Sequence, residues 1–530
     1  MKVLITDEIS QEGLQPLLAD PRIEIDVRLG LPKPELHQLI GDYEAIITRS
    51  GTQVDAALLE HAKNLKIIAR AGVGIDNVDV EAASNKGIIV VNAPFGNTNS
   101  AAEHTMALLL GLCRNLTVAN NSLKGGDWKR APFTGHELKG RTMGIIGLGK
   151  VGGRVALRAK AFEMEVIACD PYIAEKRAED LGVKLVPLDD IVRFADVITV
   201  HTPLTDETRN MITAEHFSRM KDGVIVINCA RGGIFNEAAV LEALESGKAV
   251  GAGFDVWSVE PPASDVLKKL IAHPRIVVTP HLGANTFEAQ KNVAVDVSRE
   301  IVNYLDGRPL ENAVNIPKFD PDLMEHMKPF MGLVSTLGDF ISQIAPPNPE
   351  KIVFSYNGKL ARFDCAPITV CGLASLLNRQ VEQEVNMVNA RLIAKGMGIA
   401  VEEVRTTESE SFSNLITIGI EAPEGRRTVA GTLFEGIPKI VKMRDFLTDF
   451  QPEQHMLVIT YEDQPGLIGK IGTILGEAGI NIGSMNLGRR AKAGEAMVVL
   501  SLDTPASAEI IEKLATAIGA HFIKAVELRN

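Results

Sequence analysis

Short apolar runs alternate with amphipathic stretches through roughly the first 300 residues, the rhythm of strands and helices succeeding one another in parallel α/β sheets. Val3–Thr6, Ile23–Val27, Ala45–Thr48, Lys66–Arg70 and Ile88–Val91 read as strands of a small first sheet. A long apolar helix is predicted from about Asn99 to Asn121. A second strand–helix series runs from Thr142 to Thr279. Its strands are predicted at Met143–Ile146, Glu165–Cys169, Val197–Val200, Val224–Asn228, Val250–Phe254 and Ile276–Thr279. Thr286–Leu305 reads as a helix that returns to the first sheet. The outer unit is then discontinuous, with a doubly wound unit inserted into it.

Around Pro309–Pro317 the character changes. Residues 318–452 carry mixed α/β patterns, interrupted by Pro346, Pro347 and Pro349 and by a polar turn region at Thr406–Ser413. No catalytic constellation stands out there. From about Gln454 a compact βαββαβ pattern fits: strand Met456–Tyr461, helix Gly466–Ala478, strands Ile480–Leu487 and Ala496–Leu502, helix Ala506–Ile518, strand His521–Leu528. The expected units are therefore 1–96 with 284–316, then 97–283, 317–452 and 453–530.

With 45% hydrophobic and 23% charged residues, the composition is that of a soluble globular protein. The longest apolar run, Thr105–Cys113, falls short of the roughly 18 residues that cross a bilayer. The N-terminus enters a strand directly, without the features of a secretory or transit signal. Five scattered cysteines (Cys113, Cys169, Cys229, Cys365, Cys371) form no framework, so a cytoplasmic protein is expected. The net charge of −12 argues against nucleic acid as a partner, and an anionic ligand must meet a local basic cluster.

Three segments leave the carboxyl ends of successive predicted strands: Cys229-Ala230-Arg231-Gly232-Gly233, Glu260-Pro261-Pro262 and Pro280-His281-Leu282-Gly283-Ala284. That edge of an open parallel sheet is where ligands bind. Singly, each residue has an ordinary reading: a capping histidine, a solvated glutamate, an arginine on a helix C-terminus. Together, a cation, a carboxylate and an imidazole suit removal of a hydroxyl proton from an anionic substrate. Upstream, Met143–Gly152 is a strand followed by G-x-G-x-x-G. Gly147 permits the turn, Gly149 lets backbone approach a pyrophosphate, and Gly152 lets helix and strand pack closely. Asp170 ends the next strand. A carboxylate there holds ribose hydroxyls and repels a 2′-phosphate, favouring NAD over NADP, although the residue before Pro171 can also simply cap a helix.

With Arg70–Asn77, Asn92-Ala93-Pro94, Ser100–His104 and His201–Leu204 added, the chain resembles the D-2-hydroxyacid dehydrogenases, specifically the long-form D-3-phosphoglycerate dehydrogenase family. The resemblance spans essentially all 530 residues. It implies a Rossmann-type sheet inserted in a flavodoxin-like substrate domain, then an intervening domain and an ACT domain. It also implies NAD-dependent oxidation of D-3-phosphoglycerate to 3-phosphohydroxypyruvate, the first committed step of L-serine biosynthesis, by a dimer or tetramer that holds no metal. In that scheme His281 is the general base, Glu260 orients it, and Arg231 grips the substrate carboxylate. Val73, Lys150, Val151, Thr202, Cys229, Ala230, Asp255, Gly283 and Ala284 would join the glycine turn, Asp170, Arg231 and His281 around NAD, with no redox role for Cys229.

The substrate loops of the resembled family correspond to Arg49, Ser50, Gly74 and Asn97, with a basic residue after Trp128 crossing from a second subunit. Here Lys129 and Arg130 stand at that place, followed by Ala131-Pro132 where relatives are more basic. Arg70 reads equally as an anion contact or as a structural ion-pair partner. In the ACT-like tail, Tyr461, Asp463, Gly466 and Asn481 mark an amino-acid pocket with L-serine as the implied effector, unless the module serves only to dimerise. Tyr461 stands where some relatives carry histidine. Lys439, Lys442 and Arg444 read as an anion site or, in preference, as a solvated basic face. A hydroxypyruvate or glyoxylate reductase is the rival enzyme, and a dehydrogenase-like corepressor the rival binding protein; the tail disfavours both.

Overall fold

A computed structural model describes residues 1–318, 321–408, 411–489 and 494–529. Its first sheet is parallel, with β1 (Lys2–Ile5), β2 (Glu24–Val27), β3 (Ala45–Thr48), β4 (Ile67–Arg70) and β5 (Ile89–Asn92) in the order β2-β1-β3-β4-β5. The inner strands are β-branched and buried on both faces because helices cover both. One face receives Val293, Val297 and Ile301 of the helix Phe287–Leu305, packed with Val3, Ile5 and Ala45. Leu36, Leu58 and Leu59 cover the other. The returning helix is thus where the apolar pattern places it.

The second sheet holds β6 (Thr142–Ile146), β7 (Glu165–Cys169), β8 (Lys184–Leu185), β9 (Val197–Val200), β10 (Val224–Asn228), β11 (Ala249–Phe254) and β12 (Ile276–Val278). All run parallel in the order β12-β11-β10-β9-β6-β7-β8. Strand order reverses between β6 and β9, the crevice where doubly wound sheets take dinucleotides. One expectation needs correction. The helix predicted from Asn99 to Asn121 is two helices, Thr98–Cys113 and Leu116–Lys124. Asn115 turns left-handed (φ 51°), its amide donates to Thr134 O, and His136 N–H donates to Cys113 O at 2.8 Å. A loop distant in sequence thus supplies the partners that end the first helix.

The third sheet is mixed: β13 (Lys351–Gly358), β14 (Ala400–Thr406), β15 (Asn414–Ala422), β16 (Gly425–Phe434), β17 (Ile437–Met443) and β18 (Phe446–Phe450), in the order β14-β13-β15-β16-β17-β18. Only β13 and β14 pair in parallel. The turn region expected at Thr406–Ser413 begins at the end of β14, and residues 409 and 410 lie outside the described residues. The fourth sheet is antiparallel: β19 (His455–Glu462), β20 (Ile482–Arg489), β21 (Glu495–Leu502) and β22 (Phe522–Glu527), ordered β20-β21-β19-β22. The helices Leu467–Glu477 and Ala508–Ile518 pack on one face, which completes the expected βαββαβ unit.

The third unit also touches the first. Asn386 Nδ2 donates to Gly87 O (2.8 Å), Gln383 Nε2 donates to Asn85 O (2.7 Å), and Lys66 pairs with Glu384 at 2.8 Å. Among the described residues no helix is long and apolar enough to cross a membrane.

Candidate active site

Loops at the carboxyl ends of β10, β11 and β12 face the substrate-side loops after β3 and β4 across a cleft of about 540 Å³. Arg49, Ser50, Gly74, Asn97, Arg231, Glu260 and His281 all line it, as does Arg70. Arg130 does not. It lies exposed outside the cleft, beside the Lys129–Asp127 pair.

His281 Nδ1 meets Glu260 Oε2 at 2.7 Å, and Glu260 Oε1 accepts from Trp257 N–H at 3.0 Å. Burial would raise the Glu260 carboxyl, but the bonds from His281 and Trp257 more than offset this and hold it below the usual range. With Nδ1 donating to a carboxylate, Nε2 is the nitrogen left to take a proton. Arg231 is carried by a clamped loop: Asn228 Nδ2 donates to Arg231 O (2.9 Å), and Ala230 N–H donates to Asn228 Oδ1 (3.1 Å). A Cβ on Gly232 would lie 1.9 Å from Trp257 backbone, and one on Gly74 would lie 2.2 Å from Arg231 Nη2. Gly232 therefore makes room for the close approach of the Trp257 backbone, and Gly74 for the arginine. Its guanidinium donates to Ala230 O and lies 3.4 Å from Asp76.

Asp255 organises the base from behind. Its backbone oxygen accepts from His281 N–H at 2.8 Å. Its carboxylate accepts from Thr279 Oγ1 (2.5 Å), Leu282 N–H (2.7 Å) and Gly283 N–H (2.8 Å). His104 Nε2 lies 2.9 Å from Thr279 Oγ1 and 3.3 Å from Asp255. Burial works against the charge of Asp255, yet His104, Thr279 and the two backbone donors hold its carboxyl far below the ordinary range. Burial, with the Asp255 charge beside it, pushes the Cys229 thiol well up.

The dinucleotide turn fits NAD. Gly147 adopts φ 90°, and a Cβ on Gly152 would lie 2.0 Å from Gly147 O. A Cβ on Gly149, by contrast, would meet open space, so its backbone is approachable from the cleft side. Asp170 accepts from Leu148 N–H (2.8 Å) and Tyr172 N–H (2.9 Å), tying the end of β7 to the turn. The Thr202 hydroxyl is enclosed without a partner among the described residues. Lys150 Nζ lies 3.3 Å from the Phe95 ring centroid, a bridge from the turn to the substrate side. Val73 O accepts from Asn92 Nδ2 at 2.6 Å, and Val73 and Ala284 line the cleft, whereas Val151 lies in the helix Lys150–Ala161 after the turn and Gly283 is held by Asp255.

Arg70 was legible only as one of two alternatives, and the ion-pair alternative falls. Among the described residues its guanidinium has no hydrogen-bond or ion-pair partner, and Nε is enclosed. Burial, then the Arg231 and Arg49 charges, hold it down to about 10. In the tail, the Tyr461 ring is 1% exposed with an unpartnered hydroxyl; Asp463 pairs with Arg489 at 3.0 Å; Asn481 donates to Asp503 at 2.9 Å; and Gly466 (φ 90°) opens the helix Leu467–Glu477.

Comparison with known proteins covers the whole chain. Residues 106–283 match the NAD binding domain of D-isomer specific 2-hydroxyacid dehydrogenases, 326–444 the D-3-phosphoglycerate dehydrogenase intervening domain, and 455–519 the ACT domain. The chain is 41% identical to D-3-phosphoglycerate dehydrogenase of Archaeoglobus fulgidus over 530 residues, 100% of both chains. To that of Bacillus subtilis it is 40% identical over 529 residues, 99% of each. Among solved structures, a D-lactate dehydrogenase from Aquifex aeolicus complexed with NAD and lactic acid is 30% identical with TM-score 0.52, covering 60% of this chain and 100% of that one. A glyoxylate reductase from Paecilomyes thermophila is 29% identical with TM-score 0.54, covering 59% and 98%. The chain belongs to the D-3-phosphoglycerate dehydrogenase family and is an NAD-dependent oxidoreductase.

Proposed function

We propose that the protein oxidises D-3-phosphoglycerate to 3-phosphohydroxypyruvate at the entry to L-serine synthesis. The observation that carries this reading is the Glu260–His281 pair set opposite Arg231 in one cleft. Arg231 takes the substrate carboxylate through its planar fork and fixes the C2 hydroxyl beside His281. His281 Nε2 accepts the hydroxyl proton as the carbonyl forms, and Glu260 stabilises the imidazolium through Nδ1. NAD, when bound along Gly147–Gly152, supplies the acceptor for the hydride that leaves C2. Closure of the two units over the substrate excludes water. Full-length relatives named for this activity support the substrate assignment.

A homo-oligomer completes the site in this reading. The helix Leu116–Lys124 buries none of its residues, and Leu116, Leu123 and Trp128 stand 64%, 56% and 79% exposed. A second copy covering this face brings Arg130 toward its neighbour's cleft. The ACT domain takes L-serine as a feedback effector near Tyr461, Asp463, Gly466 and Asn481, and the five free cysteines suit a cytoplasmic setting. The deciding experiment follows NADH formation from D-3-phosphoglycerate and from D-glycerate, with and without L-serine. Equal turnover of the two substrates would refute the substrate reading, and indifference to L-serine would refute the effector reading.

A further inference from the structure

We propose that Glu300, on the returning helix Phe287–Leu305, is a positioning residue: acting through Asn312 and Asn92, it holds the Val73–Gly74 turn in place in the cleft. The inference rests on the reading of the cleft as the substrate site. Glu300 is 2% exposed. Its Oε1 accepts from both the backbone N–H (3.1 Å) and the side-chain Nδ2 (2.8 Å) of Asn312. Its Oε2 is enclosed without a partner among the described residues. An enclosed carboxyl group is costly to keep, and Asn312 is what this one holds. Burial raises the Glu300 carboxyl, although the Asn312 donors oppose the shift.

Asn312 passes this anchorage forward. β5 is the edge strand of the first sheet, and residues 312–315 supply the partners that its open side lacks. Val314 N–H donates to Val90 O at 2.8 Å, Ala313 pairs antiparallel with Val91, and Asn312 O accepts from Asn92 N–H at 3.2 Å. Asn315 Oδ1 takes Val90 N–H at 2.9 Å. At the end of the strand Asn92 Nδ2 donates to Val73 O at 2.6 Å, and Ala93 N–H donates to Gly72 O at 2.9 Å. Beyond Val73, the Gly74 backbone packs so closely on Arg231 that a Cβ there would lie 2.2 Å from Nη2. Contacts therefore run unbroken from Glu300 through Asn312, Asn92 and Val73 to Gly74 and Arg231. Only the last three of these line the cleft.

The test compares Glu300→Gln and Glu300→Leu with wild type. Glutamine keeps an oxygen for both Asn312 donors, and leucine does not. Glu300→Leu should raise KM for D-3-phosphoglycerate about 3- to 30-fold, change kcat much less and leave NAD affinity unaltered. Glu300→Gln should restore the wild-type KM. Added to Asn92→Ala, Glu300→Leu should raise KM no further, because the two residues act in series. Amide exchange over residues 72–78 reads the turn without substrate, and should be faster in Glu300→Leu and as in wild type in Glu300→Gln. If Glu300→Leu folds poorly, Asn312→Ala drops the side-chain bond to Glu300 and should give the same split. A lower melting temperature with unchanged KM and exchange, or independent effects of Glu300→Leu and Asn92→Ala, would overturn the relay. A wild type that does not oxidise D-3-phosphoglycerate would overturn the substrate reading instead, and the exchange rates would still decide the relay.

Discussion

His281 Nδ1 lies 2.7 Å from Glu260 Oε2 while the His281 backbone sits in the left-handed region, at φ 57°. The base is therefore aimed by a turn that few residue types adopt readily. Asparagine tolerates that backbone, so His281→Asn removes the imidazole with little disturbance of the turn. It should lose about 100- to 10,000-fold in turnover while keeping NAD affinity. Steady-state NADH formation and a cofactor fluorescence titration check both halves, and near-normal turnover would remove His281 from its role.

Asp255 makes the turn depend on pH. A carboxylate whose folded pKa lies below its unfolded value contributes full stability above the unfolded value, near 3.8, and loses it as the pH falls further. Asp255→Asn should therefore be less stable than wild type by about 2–4 kcal/mol at neutral pH. The gap should narrow below about pH 4, where wild type begins to lose the same contribution. Denaturant melts at neutral pH and near pH 3 measure it. An unchanged gap at the lower pH would mean that Asp255 acts by packing rather than by charge.

Gly152 and Gly147 touch through a contact with no space for a methyl group. Gly152→Ala should part the helix Lys150–Ala161 from the turn, destabilise the protein by about 1–3 kcal/mol and weaken NAD binding at least tenfold. Isothermal titration with NAD reads the loss, and wild-type affinity would show that the turn tolerates the shift.

The uncovered helix Leu116–Lys124 gives a test of assembly. Leu116→Asp combined with Leu123→Asp should shift sedimentation toward the monomer while the melting temperature changes little, because neither side chain is buried in the chain itself. If Arg130 completes a neighbour's cleft, KM for D-3-phosphoglycerate should rise with the monomer fraction. Unaltered sedimentation would move the interface elsewhere.

Much of this was readable from residues alone, and what escaped has a common cause. Strands such as Val224–Asn228 announce themselves through continuous β-branched runs, because both their faces are buried. Glu260 and His281 are found by their places after such strands. The break at Asn115 escaped because its reason, the loop at Thr134–His136, lies about 20 residues away. The state of Arg70 escaped likewise, since whether an arginine has a partner depends on which carboxylates the fold brings near it. Tyr461 belongs to a strand whose alternation turns it inward, between Ile459 and the helix Leu467–Glu477, and the motif around it gave no hint of an enclosed hydroxyl. The two-residue strand β8 is too short to leave a periodic trace.

The helix Phe287–Leu305 closes over strands that left the ribosome nearly 300 residues earlier. At about 5–20 residues per second, the sheet made by Lys2–Asn92 waits some 10–40 s with Val3, Ile5 and Ala45 uncovered. Nascent chains stalled before residue 287 should thus be the ones that chaperones hold. Release past Leu305 should mark the point at which the amino-terminal sheet first resists proteolysis.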